Sequence, residues 1–348
     1  MKILITGNLG YVGSELVKLL RKKYPDAKLI GFDIGYFARQ ITNIDTAPEI
    51  HLNKQYFGDV RHFPENILEG VDAIVQLAAI SNDPIGNKFE NVTLDINYKA
   101  VIDIATKAKK MGVKKNIFAS SCSVYGFAEG NARTEDSEVN PLTAYAKSKV
   151  FAERDLAALA DDQFNVTCFR FATACGMSDR LRLDLVLNDF VAGAIASGEI
   201  NILSDGSPWR PLINVRDMGR AIMWGLERTS DSGGNYLVIN TGANVWNYQV
   251  KDLAYATQTT LPNVRVSINK DAQPDKRSYK VSFDLFEKLA ENYTPIHSLE
   301  QSIKDLYNGL KQIDFNDVNY RQSRLIRLYM INELLSKEII NNNLELNK

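Results

Sequence analysis

The sequence predicts a doubly wound α/β fold, in which a parallel sheet carries helices on both faces and a smaller C-terminal α/β lobe follows. Residues 2–23 give the first indication, because an apolar strand pattern runs into closely spaced glycines and then into an amphipathic helix pattern. The second indication is the alternation of strand and helix patterns along the chain, which is typical of parallel strands joined by helical crossovers. The length of 348 residues fits either one large α/β domain or a domain with a smaller lobe.

Composition and charge narrow the class of protein. The net charge of −1 gives no basic field for nucleic acid or an anionic membrane. No apolar run reaches the length of about 18 residues that a transmembrane helix needs, and the chain begins directly with a strand pattern. The three cysteines, Cys122, Cys168 and Cys175, lack the spacing of a metal site. We therefore expect a cytoplasmic protein with no metal, nucleic-acid or membrane partner.

A glycine-rich turn follows the first strand pattern, residues 2–6. Gly7, Gly10 and Gly13 are spaced three residues apart, and residues 14–23 then predict a helix. Glycine is needed where the chain turns sharply, where the backbone approaches a pyrophosphate, and where a helix packs closely on a strand. The helix N-terminus adds unpaired N–H groups and a partial positive charge for the phosphates. The turn predicts dinucleotide contacts from Gly7, Asn8, Gly10, Tyr11, Val12 and Gly13.

Asp33 ends the second strand pattern, residues 28–33, and lies 20 residues beyond Gly13. A carboxylate at this position can accept hydrogen bonds from both hydroxyl groups of the adenosine ribose. It also repels a 2′-phosphate, and no arginine follows directly, so the pattern favours NAD over NADP. The alternative is a solvated aspartate at the end of a strand.

A hydroxyl-rich strand end and a Tyr-x-x-x-Lys pair carry the candidate chemistry. Residues 116–126 predict a fifth strand with Ser121 and Ser123 near its end. Tyr145 and Lys149 stand four residues apart in a predicted helix, so their side chains share one face. Such a pair is common by itself, but downstream of a glycine turn and a serine-rich strand end it is a strong signal.

Together these motifs resemble the extended short-chain dehydrogenase/reductases of the NAD-dependent epimerase/dehydratase group, over roughly residues 1–300. The resemblance implies a Rossmann-type domain, NAD as cofactor and a nucleotide-diphosphate sugar as substrate. It also implies a homodimer that pairs through helices at 88–111 and 144–160. The further cofactor contacts that it implies are Asp59, Val60, Leu77, Ala78, Ala79, Asn97, Ser120, Tyr145, Lys149 and Phe171.

The resemblance assigns catalysis to Ser121, Tyr145 and Lys149. A free tyrosine has a pKa of about 10, so its phenol is a poor base at neutral pH. We expect the Lys149 ammonium and the positive charge of oxidised nicotinamide to lower that pKa and favour the phenolate. Ser121 then holds the substrate oxygen while the sugar carbon gives its hydride to the nicotinamide.

Substrate contacts follow from the same resemblance. Arg210 and Arg277 match two phosphate-binding arginines of the family, and planar guanidinium groups suit a diphosphate. The chain departs from the family pattern at Asn8, where a second glycine is common, at Thr173, where asparagine is usual, and at Asn214, where histidine is usual. The implied substrate-binding residues are Ser121, Ser123, Thr173, Arg182, Asn188, Arg210 and Arg277.

The chain divides into three predicted parts. A helix of the second part is expected to begin within residues 180–190, and an amphipathic helix is expected at 321–338. Residues 341–348 are expected to be disordered. The predicted boundaries are 1–173 for the NAD-binding domain, with its sheet completed by about 211–245, 174–210 and 246–312 for the substrate lobe, and 313–348 for a helical C-terminal extension.

The motifs favour an epimerase that oxidises a sugar hydroxyl, at C4, and returns the hydride from the same cofactor. Family dehydratases carry Asp-Glu directly after the catalytic serine, whereas this chain has Cys122 and Ser123, so 4,6-dehydration ranks lower. A 4-dehydrogenase that releases the keto-sugar stays open, because the runs at 180–184 and 275–279 look similar to those of GDP-heptose-modifying enzymes. A non-catalytic NAD-binding protein and a reductase of non-sugar carbonyls are the remaining alternatives.

Overall fold

The computed structural model describes residues 1–40, 42, 47–81, 83–128, 130–269, 272 and 278–347. Within these residues it confirms the α/β class, because a seven-stranded parallel sheet has helices packed on both faces. The strands are β1 (Lys2–Thr6), β2 (Lys28–Asp33), β3 (Lys54–Phe57), β4 (Ala73–Gln76), β5 (Lys115–Ser121), β6 (Asn165–Phe171), β7 (Thr173–Cys175), β8 (Glu199–Ile202), β9 (Trp209–Asn214), β10 (Tyr236–Thr241), β11 (Asn247–Gln249) and β12 (Arg265–Ile268).

The helices alternate with these strands over most of the chain. A π-helical turn, Asp95–Lys99, and a short 3₁₀ helix, Cys122–Tyr125, lie beside the site described below. The α-helices are α1 (Tyr11–Lys23), α2 (Asp83–Lys88), α3 (Glu90–Leu94), α4 (Ala100–Lys110), α5 (Ala144–Ala157), α6 (Val186–Ser197), α7 (Val215–Glu227), α8 (Val250–Thr260), α9 (Asp284–Leu289), α10 (Leu299–Gln312) and α11 (Arg327–Ser336).

The strand order β10-β6-β5-β4-β1-β2-β3 determines where a ligand can bind. The chain runs outward from β1 to β2 and β3 on one side, and from β4 to β5, β6 and β10 on the other. In such open sheets ligands bind outside the carboxyl ends of the strands, at the point where the order reverses. Asp33, Ser121 and Phe171 all stand at those carboxyl ends.

Both faces of the sheet are buried, which explains the nearly continuous apolar runs of its strands. On one face, Ile3 and Ile5 of β1 pack with residues of α1 and α7. On the other face, Leu4 packs with residues of α4 and α5. Successive side chains of β1 thus supply the two layers of the core alternately.

The glycine turn shortens the connection between β1 and α1. α1 begins at Tyr11, three residues before the start that the sequence predicts. Gly10 precedes it with an extended backbone, φ −90° and ψ −177°. The first N–H groups of the helix, which have no intrahelical partner, therefore lie at the turn itself.

The helix predicted over residues 88–111 is interrupted. α3 ends at Leu94, a π-helical turn follows, and α4 begins at Ala100. Asn97 lies in the π-helical turn, where its side chain accepts a hydrogen bond from the N–H of Ile80 (2.8 Å) and donates one to the carbonyl of Ile80 (2.9 Å). This pairing ties the helix to the segment that follows β4.

The second lobe contains two small sheets, β11-β9-β7 and β12-β8, with α6, α8 and α10 around one apolar core. Residues 180–185 precede α6 and are not helical, so the predicted helix is wrong over its first half. Instead, the N–H of Leu183 donates to the carbonyl of Leu325 (2.9 Å). The predicted domain boundaries stay a prediction.

The C-terminal segment, residues 320–347, packs against the Rossmann sheet. α11 begins at Arg327 and is shorter than the predicted helix at 321–338. Leu344 is fully buried, and its carbonyl accepts hydrogen bonds from Tyr36 and Arg61. The disorder predicted for residues 341–348 is therefore wrong over 341–347.

Candidate active site

A cleft of about 1050 Å³ opens at the carboxyl ends of the central strands. Its size suits more than one small ligand, since ordinary ligand pockets occupy about 300–1000 Å³. The glycine turn lines it at one end and residues of the second lobe line it at the other. The predicted site residues on its lining are Gly7, Gly10, Tyr11, Val12, Gly13, Asp33, Asp59, Val60, Leu77, Ala78, Ala79, Ser120, Ser121, Ser123, Tyr145, Lys149, Phe171, Thr173, Arg182 and Arg210.

The glycine turn is closed too tightly for side chains at two of its positions. Gly7 has a φ of 76°, and a Cβ atom there would lie 2.5 Å from the backbone nitrogen of Ala78. A Cβ atom at Gly13 would lie 2.4 Å from the carbonyl oxygen of Gly7. The turn therefore packs closely on itself and on the segment that follows β4, and both glycines also line the cleft.

Asp33 is held in place beside this turn. Its Oδ2 accepts the N–H of Leu9 (3.1 Å), and its Oδ1 accepts the N–H of Gly35 (2.8 Å). Enclosure by the protein raises the pKa of this carboxyl, while those two hydrogen bonds act in the opposite direction. The fixed carboxylate on the cleft wall can accept further hydrogen bonds, as ribose hydroxyls would supply.

Tyr145 and Lys149 lie on the first turns of α5. Thr143 caps this helix, since its hydroxyl accepts the N–H of Ala146 (3.2 Å). The Lys149 Nζ donates to the carbonyl of Ala119 (2.7 Å) and lies 5.5 Å from the centroid of the Tyr145 ring. The pair thus faces the cleft together, as the four-residue spacing predicts.

The environment of Lys149 changes its acidity. Burial lowers the pKa of its ammonium group to about 7, although the carboxylate of Glu153 acts to raise it. Glu153 lies one helical turn further along α5, where it accepts hydrogen bonds from Ser120 and from Arg170 (2.8 Å). Sequence reasoning missed Glu153, although its spacing of four residues from Lys149 on one helix face is a signal that could have found it.

Two serines stand at the end of β5. The Ser121 Oγ accepts the N–H of Ser123 (3.1 Å), which caps the short helix that follows. The hydroxyl proton of Ser121 can therefore be donated to a substrate oxygen. The Ser123 Oγ is buried, lines the same cleft and has no hydrogen-bond partner among the described residues.

Two of the predicted substrate arginines reach the cleft. Arg182 forms a bidentate ion pair with Asp184 (2.6 and 2.9 Å) and donates to the hydroxyl of Ser81 (2.9 Å). Arg210 extends from β9 and donates to the carbonyl of Trp209 (2.9 Å). Arg277 lies outside the described residues.

A protein-family model matches more than half of the chain. The model described as "NAD dependent epimerase/dehydratase family" matches residues 3–242, which include the glycine turn, Asp33 and the Tyr145–Lys149 pair. The chain belongs to this family. It is therefore an enzyme whose cofactor is NAD, and the predicted family is confirmed.

Relatives within the family carry out different reactions. A UDP-glucose 4-epimerase of Lactobacillus helveticus is 28% identical over 62% of this chain and 67% of its own length. A UDP-glucuronic acid decarboxylase of Arabidopsis thaliana is 24% identical over 91% of this chain and 70% of its own. The solved structure of an NAD-dependent NDP-hexosamine 5,6-dehydratase covers 90% or more of both chains (91% and 99%) with a TM-score of 0.77, and at 23% identity it supports the fold alone.

The cleft of this family member fits NAD. Glycines stand where a Cβ atom would fill the turn, and Asp33 presents a fixed carboxylate beside it. Asp59 also lines the cleft, but its carboxylate is paired with Arg61 and caps the turn that begins at Val60. These residues would hold the adenosine half of the cofactor, and Lys149 would hold the nicotinamide half.

Three predicted site residues point into the protein. Asn8 is buried and donates to Gln55 (2.6 Å), while Asn97 pairs with the backbone of Ile80. Asn188 accepts the N–H of Gly176 (3.0 Å) and donates to the carbonyl of Arg182 (3.0 Å). These side chains shape the segments that line the cleft.

The departure at Asn214 has a structural explanation. Its side chain accepts the N–H of Arg216 (2.9 Å) at the start of α7 and donates to the hydroxyl of Ser302 (2.8 Å). Asparagine is among the best helix N-caps.

Among the described residues, none of the helices has the length and apolar character that a membrane span requires.

Proposed function

We propose that this enzyme is an NAD-dependent 4-epimerase of a nucleotide-diphosphate sugar that works through a transient 4-keto sugar. One observation carries the proposal: Ser121, Tyr145 and Lys149 line the same cleft as the dinucleotide turn. A sugar hydroxyl between them would meet a base, a hydrogen-bond donor and a hydride acceptor together.

Each side chain has a defined part in the proposed oxidation. Tyr145, as phenolate, takes the proton of the sugar hydroxyl while the C–H bond breaks and a carbonyl forms. The Lys149 ammonium, next to the Tyr145 ring, stabilises the phenolate by its charge. Ser121 donates a hydrogen bond to the oxygen as it becomes a carbonyl. Bound NAD supplies the hydride acceptor and donor.

Arginines at the lobe end of the cleft support a diphosphate substrate. Arg210 lines the cleft from β9, and Arg182 lines it with its guanidinium fixed by Asp184. Guanidinium groups bind phosphate oxygens in a planar, two-pronged geometry. Relatives named for UDP-glucose and UDP-glucuronic acid make a nucleotide-diphosphate sugar the natural candidate.

Dehydration is disfavoured by the residue after Ser121. Burial raises the pKa of the Cys122 thiol well above its usual range, and the thiol donates to the carbonyl of Arg170. It therefore cannot serve as an acid or base for water loss at neutral pH. A 4-dehydrogenase shares the oxidation step, so the fate of the keto-sugar is the point to be tested.

The test uses substrates deuterated at C4. Purified enzyme is incubated with UDP-, dTDP- and GDP-hexoses, and products are followed by NMR and absorbance at 340 nm. We expect 4-epimers that retain deuterium, with no net NADH. Accumulated NADH with a 4-keto sugar would identify a dehydrogenase, loss of water a dehydratase, and NAD binding without turnover a non-catalytic protein.

We also propose a cytoplasmic homodimer that pairs through the outer face of α5 and the π-helical turn before α4. Tyr98 and Phe151 form a partly exposed aromatic pair there, with ring centroids 5.6 Å apart. Sedimentation velocity of the wild type and of Phe151→Glu tests this arrangement. A dimer that persists unchanged in the variant would contradict it.

A further inference from the structure

We propose that Arg327, in the C-terminal segment beyond the family match, binds a phosphate of the dinucleotide. The family model ends at residue 242, so this contact would come from a part of the chain that the family pattern does not describe. The proposal concerns the cofactor and holds whichever sugar reaction the enzyme performs.

Arg327 is built into the wall of the cleft. It is the first residue of α11, is 3% exposed and lies on the cleft lining. Its guanidinium carbon lies 4.1 Å from the centroid of the Phe37 ring, and its Nη2 donates to the carbonyl of Arg180 (2.8 Å). Phe37 lines the cleft too, four residues beyond Asp33. Stacking and hydrogen bonding therefore fix the guanidinium beside the expected ribose position.

One nitrogen of the Arg327 guanidinium, Nη1, remains available to donate a hydrogen bond to a ligand. Its Nη1 has no hydrogen-bond acceptor within the part of the chain that the structure describes, and Arg327 forms no ion pair there. A buried charged group without a full set of partners is unfavourable unless something else supplies them. An anionic ligand in the cleft would supply both the acceptor and the opposite charge.

Neighbouring charges strengthen this expectation. Burial, together with the positive charges of Arg182 and Arg180, lowers the pKa of Arg327 to about 9, while Asp184 and Asp33 act to raise it. Arg180 is 2% exposed, and although its Nη2 donates to Glu49 (2.7 Å), its Nε and Nη1 have no partner among the described residues. The buried guanidinium groups of Arg180, Arg182 and Arg327 thus favour a negatively charged ligand at the part of the cleft that Arg327 lines.

The position of Arg327 near Asp33 indicates which kind of anion it would bind. Burial raises the pKa of Asp33, and Arg327 and Arg180 act in the opposite direction, so both lie within electrostatic reach of the ribose-binding carboxylate. A phosphate near that carboxylate belongs either to the pyrophosphate of a dinucleotide or to the 2′-phosphate of NADP. Because Asp33 repels a 2′-phosphate, the pyrophosphate is the one that we propose.

Contacts on both sides of Arg327 hold its segment in place. The carbonyl of Leu325 accepts the N–H of Leu183 (2.9 Å), and Asn332 accepts a hydrogen bond from Lys88 (2.7 Å). Further along, the buried side chain of Leu344 closes the segment against the sheet. The arginine is therefore presented by a docked part of the protein.

The experiment compares Arg327→Gln with Arg324→Gln. Arg324 lies three residues earlier in the same segment, where it is exposed and pairs with Glu333 (2.6 Å). Titration calorimetry gives the Kd of each variant for NAD, ADP, adenosine, NADP and UDP. Loss of one charge-assisted hydrogen bond should weaken NAD and ADP about 10-fold or more. Adenosine should bind unchanged, and Arg324→Gln should match the wild type.

Other outcomes overturn the proposal. An equal loss for adenosine and ADP would place Arg327 at the ribose or base, and a loss for NADP alone would assign it to a 2′-phosphate. A loss for UDP alone would assign it to the substrate, and unchanged Kd values would leave it a structural residue. Thermal unfolding without ligand separates misfolding from lost binding, and Arg327→Lys, which keeps the charge, should recover part of the ADP affinity.

Discussion

At one end of the cleft, Ser121, Tyr145 and Lys149 stand on β5 and α5, a strand and a helix that contact each other. At the other end, Asp33 and Arg327 come from the second strand and from the C-terminal segment. The first arrangement depends on the sheet and one helix. The second exists only when the end of the chain docks on the sheet.

This difference predicts different responses to substitution. Tyr145, at the reaction end, stands on a helix that packs directly on β5, so its substitution should affect the rate and leave cofactor affinity and folding unaffected. The cofactor end is assembled from distant segments, so changes there should affect affinity and stability together. Tyr145→Phe and Leu344→Ala test this contrast, and the titration of Lys149 shows where the reaction end also contributes to stability.

The largest effect is expected for Tyr145→Phe. Removal of the proposed base should lower kcat by about 10³-fold, a barrier increase of about 4 kcal/mol. The Kd for NAD and the unfolding midpoint should not change. Tyr255→Phe, at an exposed tyrosine of α8, is the matched control. Undiminished turnover in Tyr145→Phe would refute the mechanism. A parallel loss of NAD binding would contradict the expectation that Tyr145 affects only the rate.

A smaller effect is expected for Leu344→Ala. Leu344 is fully buried, so its truncation should lower the free energy of unfolding by about 2–4 kcal/mol. Urea unfolding measures this loss, and stopped-flow mixing should show faster NAD dissociation with little change in kcat at saturating NAD. Leu346→Ala, at a residue that is 49% exposed, should behave as the wild type. Lost stability with unchanged NAD dissociation would mean that the C-terminal segment does not support the cofactor.

The smallest effect concerns the pH dependence of stability. Burial lowers the pKa of Lys149 from its ordinary 10.5 to about 7, so between these values the unfolded chain binds more protons than the folded one. The free energy of unfolding of the cofactor-free protein should therefore rise by about 1 kcal/mol per pH unit from pH 7 upward, because the cost of burying the charge disappears.

Urea unfolding at pH 7, 8 and 9 measures this slope. Lys149→Met should remove the contribution, whereas Lys147→Met, at an exposed lysine of the same helix, should retain it. An identical slope in the wild type and in Lys149→Met would show that the buried ammonium does not titrate in this range.

The sequence was sufficient for the features whose signal is local. Residues 2–6 and 165–171 form strands as predicted, and the spacing of Tyr145 and Lys149 places both on the cleft. Local propensity misplaced the start of α1, because Gly10 in an extended conformation lets the helix begin at Tyr11. These features depend on neighbours within a few residues, which is the range over which a sequence pattern is informative.

The features that the sequence did not predict depend on contacts between residues far apart in the chain. Asn188 satisfies buried backbone groups of Gly176 and Arg182, and nothing in its local sequence indicates this. Residues 341–347 look like a polar end, but the burial of Leu344 against distant residues such as Tyr36 gives them a fixed structure. Arg327 could not be assigned to the cleft for the same reason, since its neighbours Arg180 and Phe37 are 147 and 290 positions away.

The docking of Leu344 also bears on the order of events during synthesis. Every strand of the seven-stranded sheet leaves the ribosome before residue 327, so the sheet can form while the segment around Leu344 is still being made. If Arg327 binds a phosphate, a nascent or prematurely terminated chain would fold around its glycine turn and still hold NAD weakly. Full cofactor affinity would then require that the segment from Arg327 to Leu344 has been made and has docked on the sheet.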